Sequence, residues 1–355
     1  MRRVAHYVNG QLREGWTDDG EVFDPSTGEV AALVSFATPE LLDEAIQSAR
    51  SAAATWARST LAVRTEVLFA FRELLVRHSD ELAQLISAEH GKTIPDARGE
   101  LSRGIENVEY ACGLADHLKG EFSSQVADGV DVHSMRQPVG VVAAITPFNF
   151  PAMVPLWMIA NAVACGNSVV LKPSEKDPST SVRIAELFSE AGLPDGVLNV
   201  VHGDRATVDR ILDDPGVDAI SFVGSTPVAR HVHLTGTANG KRVQALGGAK
   251  NHMVVLADAD LDVAADAAIS AGFGSAGERC MAISVVVALE QCADALVERI
   301  AARVDKLRVG AGADPTSDFG PLISREHRDR VASYVEKART AVSYTHLTLP
   351  TILRV

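Results

Sequence analysis

The chain has 355 residues, 46% apolar and 22% charged, which excludes a disulfide miniprotein, a peptide module and wholesale disorder. Its 33 Lys and Arg against 46 Asp and Glu give a net charge of -13 with no block of like charge, a balance that repels polyphosphate and argues against nucleic acid as a partner. Cys112, Cys165, Cys280 and Cys292 are scattered without a CxxC pair or a His at ligand spacing, so neither structural zinc nor a disulfide framework is expected. Arg2 and Arg3 have no apolar run behind them, and a reducing cytoplasm is the expected compartment.

After a short stranded start and a tight turn at Asp24-Pro-Ser-Thr-Gly28, the front third reads as helical. Leu41, Leu42, Ala45, Ile46, Ala49 and Ala53 recur at helical spacing between Pro39 and Trp56. Leu61 to Val76 and Asp80 to Glu89 repeat that pattern, and Gly91-Lys-Thr-Ile-Pro95 breaks the third helix. Gln137 to Leu171 carries no full charge, a length that would suit a membrane span. Pro147, Pro151, Pro155 and Gly166 interrupt it, so it reads as strand, loop, helix and strand buried in protein. From Val139, β-branched runs at Val139 to Ile145, Ser168 to Leu171, Val197 to Val201 and Val217 to Val223 alternate with helical segments at Ala152 to Ala164, Ser179 to Glu190, Ala206 to Leu212 and Pro227 to Thr235. That alternation predicts βαβ units and a parallel sheet. A second alternation, with strands at Val243 to Leu246, His252 to Leu256 and Ala282 to Leu289 and helices at Leu261 to Ser275 and Cys292 to Lys306, predicts a further α/β unit. The last segment, Val342 to Val355, follows the charged helix Arg325 to Arg339 and fits neither period. Its wording resembles a translated sequencing-library adapter, so a natural chain truncated near Ala341 is expected.

A parallel sheet presents loops at the carboxyl ends of its strands, where ligands bind. Three clusters fall there: Ile145-Thr-Pro-Phe-Asn-Phe-Pro151, Leu171-Lys-Pro-Ser-Glu175 and Phe222-Val-Gly-Ser-Thr226. Lys172 and Glu175 suit the hydroxyl pair of a ribose, and Gly224 with Ser225 at a helix start suits a pyrophosphate; a surface ion pair and an ordinary helix cap account for the same residues. The G-x-G-x-x-G fingerprint is absent, which speaks against an ordinary Rossmann dehydrogenase and not against a nucleotide. Cys280 follows a Gly-rich helix end, adjoins Arg279 and precedes a strand, the setting of an exposed, activated thiol. Cys112, Cys165 and Cys292 read as small buried apolar residues.

Together, Pro147-Phe-Asn-Phe-Pro151, Lys172-Pro-Ser-Glu175, Phe222-Val-Gly-Ser-Thr226, Leu246-Gly-Gly and Gly277-Glu-Arg-Cys280 stand in the order and spacing of the NAD(P)-dependent aldehyde dehydrogenase superfamily, which the chain resembles from Tyr7 to Ala338. The resemblance implies an α/β, aldehyde dehydrogenase-like fold. A Rossmann-type parallel-sheet NAD domain would span residues 1–245, with a bridging arm at about 120–137, and a partial α/β catalytic domain would span 246–341. It implies Cys280 as nucleophile and Asn149 with the Cys280 backbone N–H as oxyanion donors. Thr146, Phe148, Lys172, Glu175, Lys176, Ser225 and Gly247 would line the cofactor. Glu175 repels a 2′-phosphate that Lys172 and Lys176 attract, which favours NAD. The superfamily also implies a homo-oligomer, dimer or tetramer, with no membrane or nucleic-acid partner.

More narrowly, Gly248-Ala-Lys-Asn-His252 with Glu278-Arg-Cys-Met-Ala282 resembles the CoA-acylating methylmalonate-semialdehyde dehydrogenases. That implies a small-molecule aldehyde and CoA as substrates, giving propanoyl-CoA from methylmalonate semialdehyde and acetyl-CoA from malonate semialdehyde. Hydrolytic members of the superfamily carry a water-activating glutamate just before Leu-Gly-Gly. Ala245 stands there in this chain, and a CoA thiolate needs no such base. Arg103 and Arg279 are implied to clamp the substrate carboxylate, while a surface bridge from Arg103 to Glu100 or Glu106 accounts for that residue as well. The superfamily usually has glycine where Ala229 stands. Two other readings remain: a non-acylating aldehyde dehydrogenase, and a truncated nucleotide-binding protein without turnover.

Overall fold

The computed structural model describes residues 1–14 and 19–340; the expected non-native tail, 342–355, lies outside them. The chain forms two compact units, one from Met1–Val22, Ala31–Leu85 and Arg98–Gly247, the other from Phe23–Val30, Ile86–Ala97 and the chain from Gly248 onward.

The first unit is built on a seven-stranded sheet in the order Arg242–Leu246, Ala219–Val223, Val141–Ile145, Ser168–Lys172, Leu198–Val200, His6–Val8, Gln11–Arg13. The first five strands are parallel, as the β-branched runs predict. They wind outward in both directions from the gap between Val141–Ile145 and Ala219–Val223, so the topological switch point of the sheet lies there. The predicted strand Val243 to Leu246, read as opening the second alternation, belongs instead to this sheet. Its ladder pairs Arg242 to Leu246 with Ala219 to Val223, and its inward side chains Val243 and Ala245 pack on the first unit's core.

The stranded start supplies the other two strands. Asn9 and Gly10, both at positive φ, close a tight hairpin of His6–Val8 and Gln11–Arg13, which joins the sheet antiparallel at Val200. Helix Pro39–Trp56 covers the core through Leu42, Ala45, Ile46 and Ala49, which meet Val141, Ala143, Val170 and Ile220. Thr38 caps it, accepting from Leu41 N at 3.2 Å. Phe71 and Phe188 stack at 3.9 Å between helices Leu61–Arg77 and Ser179–Glu190. Ala229, at the position where a glycine was expected, has its methyl buried in this core. An antiparallel hairpin, Phe122–Ala127 with Val130–His133, occupies the segment expected to form an arm and is exposed along its whole length.

The second unit has its own small core. The parallel pair Asn251–Val255 and Ile283–Ala288 packs with helices Leu261–Phe273 and Glu290–Val304 around Val255, Ala265, Ala288, Ala293 and Leu296. The helix expected to reach Ser275 stops at Phe273, because Ser275 and Ala276 adopt φ values of 52° and 53° and cannot continue a right-handed helix. Among the described residues no helix is long and apolar enough to cross a membrane.

Candidate active site

The side chains singled out in the sequence fall into two groups, one in each unit. The first lies at the switch point. Strand Val141–Ile145 delivers Thr146, whose N–H donates to the Lys172 carbonyl at 3.1 Å and whose hydroxyl is buried with no protein partner. One strand over, buried Lys172 donates to the Glu175 carboxylate at 3.1 Å. Burial pushes the Glu175 carboxyl up, but the Lys172 ammonium and the hydrogen bonds the carboxylate accepts outweigh it, so Glu175 is held below the ordinary carboxylate range and stays charged. The Lys176 ammonium sits 5.1 Å from the centre of the Phe148 ring, which ties the second cluster to the first.

The third cluster opens helix Thr226–Ala238. Ser225 occupies the N-cap position in extended geometry, exposed, and its side chain makes no capping bond. A helix start without a side-chain cap is a place where an anion can bind. Gly224 donates to the Leu246 carbonyl at 3.1 Å, and a Cβ there would stand 2.4 Å from the Phe222 ring. Gly247 packs against Thr226 so closely that a Cβ would lie 3.0 Å from its hydroxyl. An orphaned buried hydroxyl, a helix start without a side-chain cap and an ammonium–carboxylate pair on the loops beside the switch point fit a dinucleotide. Thr146, Phe148, Lys172, Glu175, Lys176, Ser225 and Gly247 are the residues that would hold it.

Asn149 lies in the loop between Thr146 and helix Met153–Ala164. The far end of that loop is held by Glu100, a residue the motifs did not single out. Its buried carboxylate accepts from Ala152 N at 2.8 Å and Met153 N at 3.1 Å, capping the helix from a distance. The signal was present: Ala97, Glu100, Leu101, Gly104 and Val108 form the inward stripe of one helix, and a lone glutamate on such a stripe needs donors. Arg103, on the outer face of the same helix, is 70% exposed and bridges Glu106 at 2.8 Å.

The second group surrounds Cys280. Ser275, Ala276 and Gly277 are successive left-handed residues, two of them not glycine, a conformation that costs roughly 1–3 kcal/mol per non-glycine residue and needs external support. Asp96 provides part of it. One carboxylate oxygen accepts from Ser275 N at 3.1 Å and the other from Arg279 Nη2 at 2.5 Å. Arg279, expected to face a substrate carboxylate, thus already holds a carboxylate of its own chain. Arg279 and Ala282 then close a turn around Cys280, with Ala282 N donating to Arg279 O at 3.0 Å. Cys280 is exposed, whereas Cys112 and Cys292 are buried and Cys165 is partly buried near Arg64.

Beneath the turn the Glu278 carboxylate is 4% exposed, with His327 Nε2 at 3.4 Å and His90 Nε2 at 3.7 Å. Burial, then the Lys92 charge, pushes His90 well below the ordinary imidazole value, so it is neutral there.

An exposed thiol on a braced turn, and polar loops at the switch point of a parallel sheet, are features that a thiol-dependent, nicotinamide-linked oxidoreductase needs. The chain belongs to the aldehyde dehydrogenase family, which residues 13–345 match. It is 52% identical over 337 residues to a malonate-semialdehyde dehydrogenase of Pseudomonas aeruginosa, covering 95% of this chain and 68% of that one. Malonate-semialdehyde dehydrogenase 2 of Geobacillus kaustophilus is 49% identical, with 95% and 70% covered. Among solved structures, the methylmalonate-semialdehyde dehydrogenase of Oceanimonas doudoroffii superposes with a TM-score of 0.94 at 52% identity, covering 96% of this chain and 70% of that one. A Sinorhizobium meliloti protein assigned the same activity, and complexed with NAD, matches with a TM-score of 0.94 at 47% identity over 96% of this chain and 70% of its own.

Proposed function

We propose that this protein oxidises malonate semialdehyde and its methyl homologue with NAD, passing the acyl group to CoA. The observation that carries the reading is the near-half identity, over 95% of the chain, to relatives named for malonate semialdehyde. In this reading the Cys280 thiolate adds to the aldehyde carbon, forming a C–S bond and an oxyanion that accepts from Asn149 and the Cys280 N–H. Collapse of that oxyanion to a thioester on Cys280 expels a hydride, for which a bound NAD would supply the acceptor. Loss of the free carboxylate as carbon dioxide leaves an enolate that takes a proton. The CoA thiolate then attacks the shortened acyl group and the Cys280 thiolate departs.

Ala245 supports the transfer to CoA rather than to water: its methyl packs on the first unit's core, and no carboxylate stands at that position to activate water. Arg279, and with it Arg103, supplies the cation for the substrate carboxylate, Arg279 by exchanging Asp96 for it. Assembly as a homo-oligomer in the cytoplasm belongs to the same reading. The test is NADH formation by the full-length protein with and without CoA: a single burst followed by slow release is expected when CoA is omitted, and steady turnover when it is present. Equal steady rates in both would refute acyl transfer, and a burst retained by Cys280→Ala would refute the nucleophile.

A further inference from the structure

We propose that Asn251 is a positioning residue for the nucleophile: it fixes the peptide plane on the C-terminal side of Cys280, as the turn fixes the plane on its N-terminal side. The assignment rests on the reading of Cys280 as the reacting thiol. Two peptide planes determine where a residue's side chain and N–H point. The plane before Cys280 contains the Arg279 carbonyl and the Cys280 N–H. The Arg279 carbonyl accepts from Ala282 N at 3.0 Å, so this plane is locked and the Cys280 N–H, trans to that carbonyl, faces away from the turn.

The plane after Cys280 contains its own carbonyl, which accepts from Asn251 Nδ2 at 2.9 Å; the same nitrogen reaches the Ala282 carbonyl at 3.0 Å. An amide NH₂ carries two hydrogens, one for each carbonyl, and because both partners are pure acceptors the amide has one satisfying orientation. The sheet explains how Asn251 gets there. Strand Asn251–Val255 runs parallel to Ile283–Ala288, and the register slips between Asn251, opposite Ile283, and His252, opposite Val285. The irregularity takes Asn251 out of the regular alternation and turns its amide onto the segment just ahead of the neighbouring strand.

The need for this hold follows from what precedes it. The turn is entered through the strained Ser275 to Gly277 segment, braced upstream by Asp96. A turn closed by one hydrogen bond and loaded with strain on one side would pivot about its other side. Attack on a carbonyl tolerates little pivoting, since a misplacement of about 1 Å costs on the order of a hundredfold in rate.

Asn251→Ala removes both hydrogen bonds, and Asn251→Asp keeps the shape while replacing the donor by an oxygen that repels both carbonyls. In the full-length protein we expect the rate constant of the NADH burst on malonate semialdehyde to fall at least tenfold in both variants. KM for the aldehyde should change less than threefold, and alkylation of Cys280 by iodoacetamide, which needs only an accessible thiol, should stay within twofold. The melting temperature should stay within a few degrees. A burst within twofold of wild type in either variant would overturn the assignment. So would a parallel fall in burst, alkylation and melting temperature, or loss of folding in both variants, since each would make Asn251 a fold residue. A wild-type protein with no burst would overturn the underlying reading and this assignment with it, whereas a bursting wild type with unimpaired variants overturns the assignment alone.

Discussion

His202 makes the stability of the first unit depend on acid in a way that can be isolated. It is fully buried beside His6; its Nε2–H donates to the Ala5 carbonyl at 3.0 Å, and its own N–H donates to His6 Nδ1 at 3.0 Å. Burial, then the neighbouring His6 and, more weakly, Lys172, push the His202 pKa down to about 3. An unfolded histidine titrates near 6.5. Above that value neither state binds the proton, and the group adds no pH dependence. As pH falls below it the unfolded chain takes up a proton that the folded chain refuses, and stability drops until about pH 3. Between pH 7 and pH 5 the loss from this one group is about 2 kcal/mol. His202→Gln places an amide N–H toward the Ala5 carbonyl and cannot titrate, so its unfolding free energy should fall less over the same interval, by about 2 kcal/mol. Urea melts of both proteins at pH 7, 6 and 5 measure the difference. Parallel pH profiles for wild type and variant would show that His202 is protonated in the folded state and would refute the reasoning.

Three further outcomes follow from the same contacts. Glu100→Ala strands the N–H groups of Ala152 and Met153 in the interior and should cost about 2–4 kcal/mol by urea denaturation, with Glu100→Gln, which still accepts, losing less than half of that; an alanine variant within 0.5 kcal/mol of wild type would show that water replaces the carboxylate. Gly224→Ala drives a methyl to 2.4 Å from the buried Phe222 ring and should lower stability by about 1–3 kcal/mol and weaken NAD binding measured by fluorescence titration; an unchanged protein would mean that the ring has room to move. Arg279→Leu should raise KM for malonate semialdehyde by an amount equivalent to ~1.5–3 kcal/mol and leave uncharged propanal nearly unaffected, whereas equal losses on both would assign the guanidinium wholly to Asp96.

What was legible in the sequence is what local periodicity and short motifs encode. The parallel strands Val141–Ile145 and Ser168–Lys172 are read directly, because a strand buried on both faces must be a near-continuous run of apolar, mostly β-branched side chains. Lys172 with Glu175 is legible because they stand three positions apart in one motif, and the structure joins them. Ser225 is legible because a glycine precedes it and a proline follows within the first helical turn. The antiparallel pairing of Val200 with Tyr7 is not, since backbone hydrogen bonds between residues so far apart in sequence leave no periodic mark. The same holds for the placement of strand Arg242–Leu246, whose alternation is identical whichever sheet it joins.

The supporting shell of the site was the least legible part, for one physical reason. Cys280 and Arg279 can be picked out by their neighbours in sequence, but the groups that hold them come from distant segments whose own sequences are ordinary. Asp96 sits in the first turn of a helix, where an acidic residue is expected for the helix dipole alone; its bonds to Ser275 and Arg279 arise only once the chain has folded. Asn251 opens a strand, where an asparagine is unfavourable, and Glu100 lies on an apolar stripe, where a glutamate is costly. Both break a local rule, and in both cases two backbone groups beside a site residue account for the breach. Residues that contradict their own element are therefore where this sequence records its tertiary constraints, and Asn251 and Glu100 could have been shortlisted on that ground without the fold, though their partners could not.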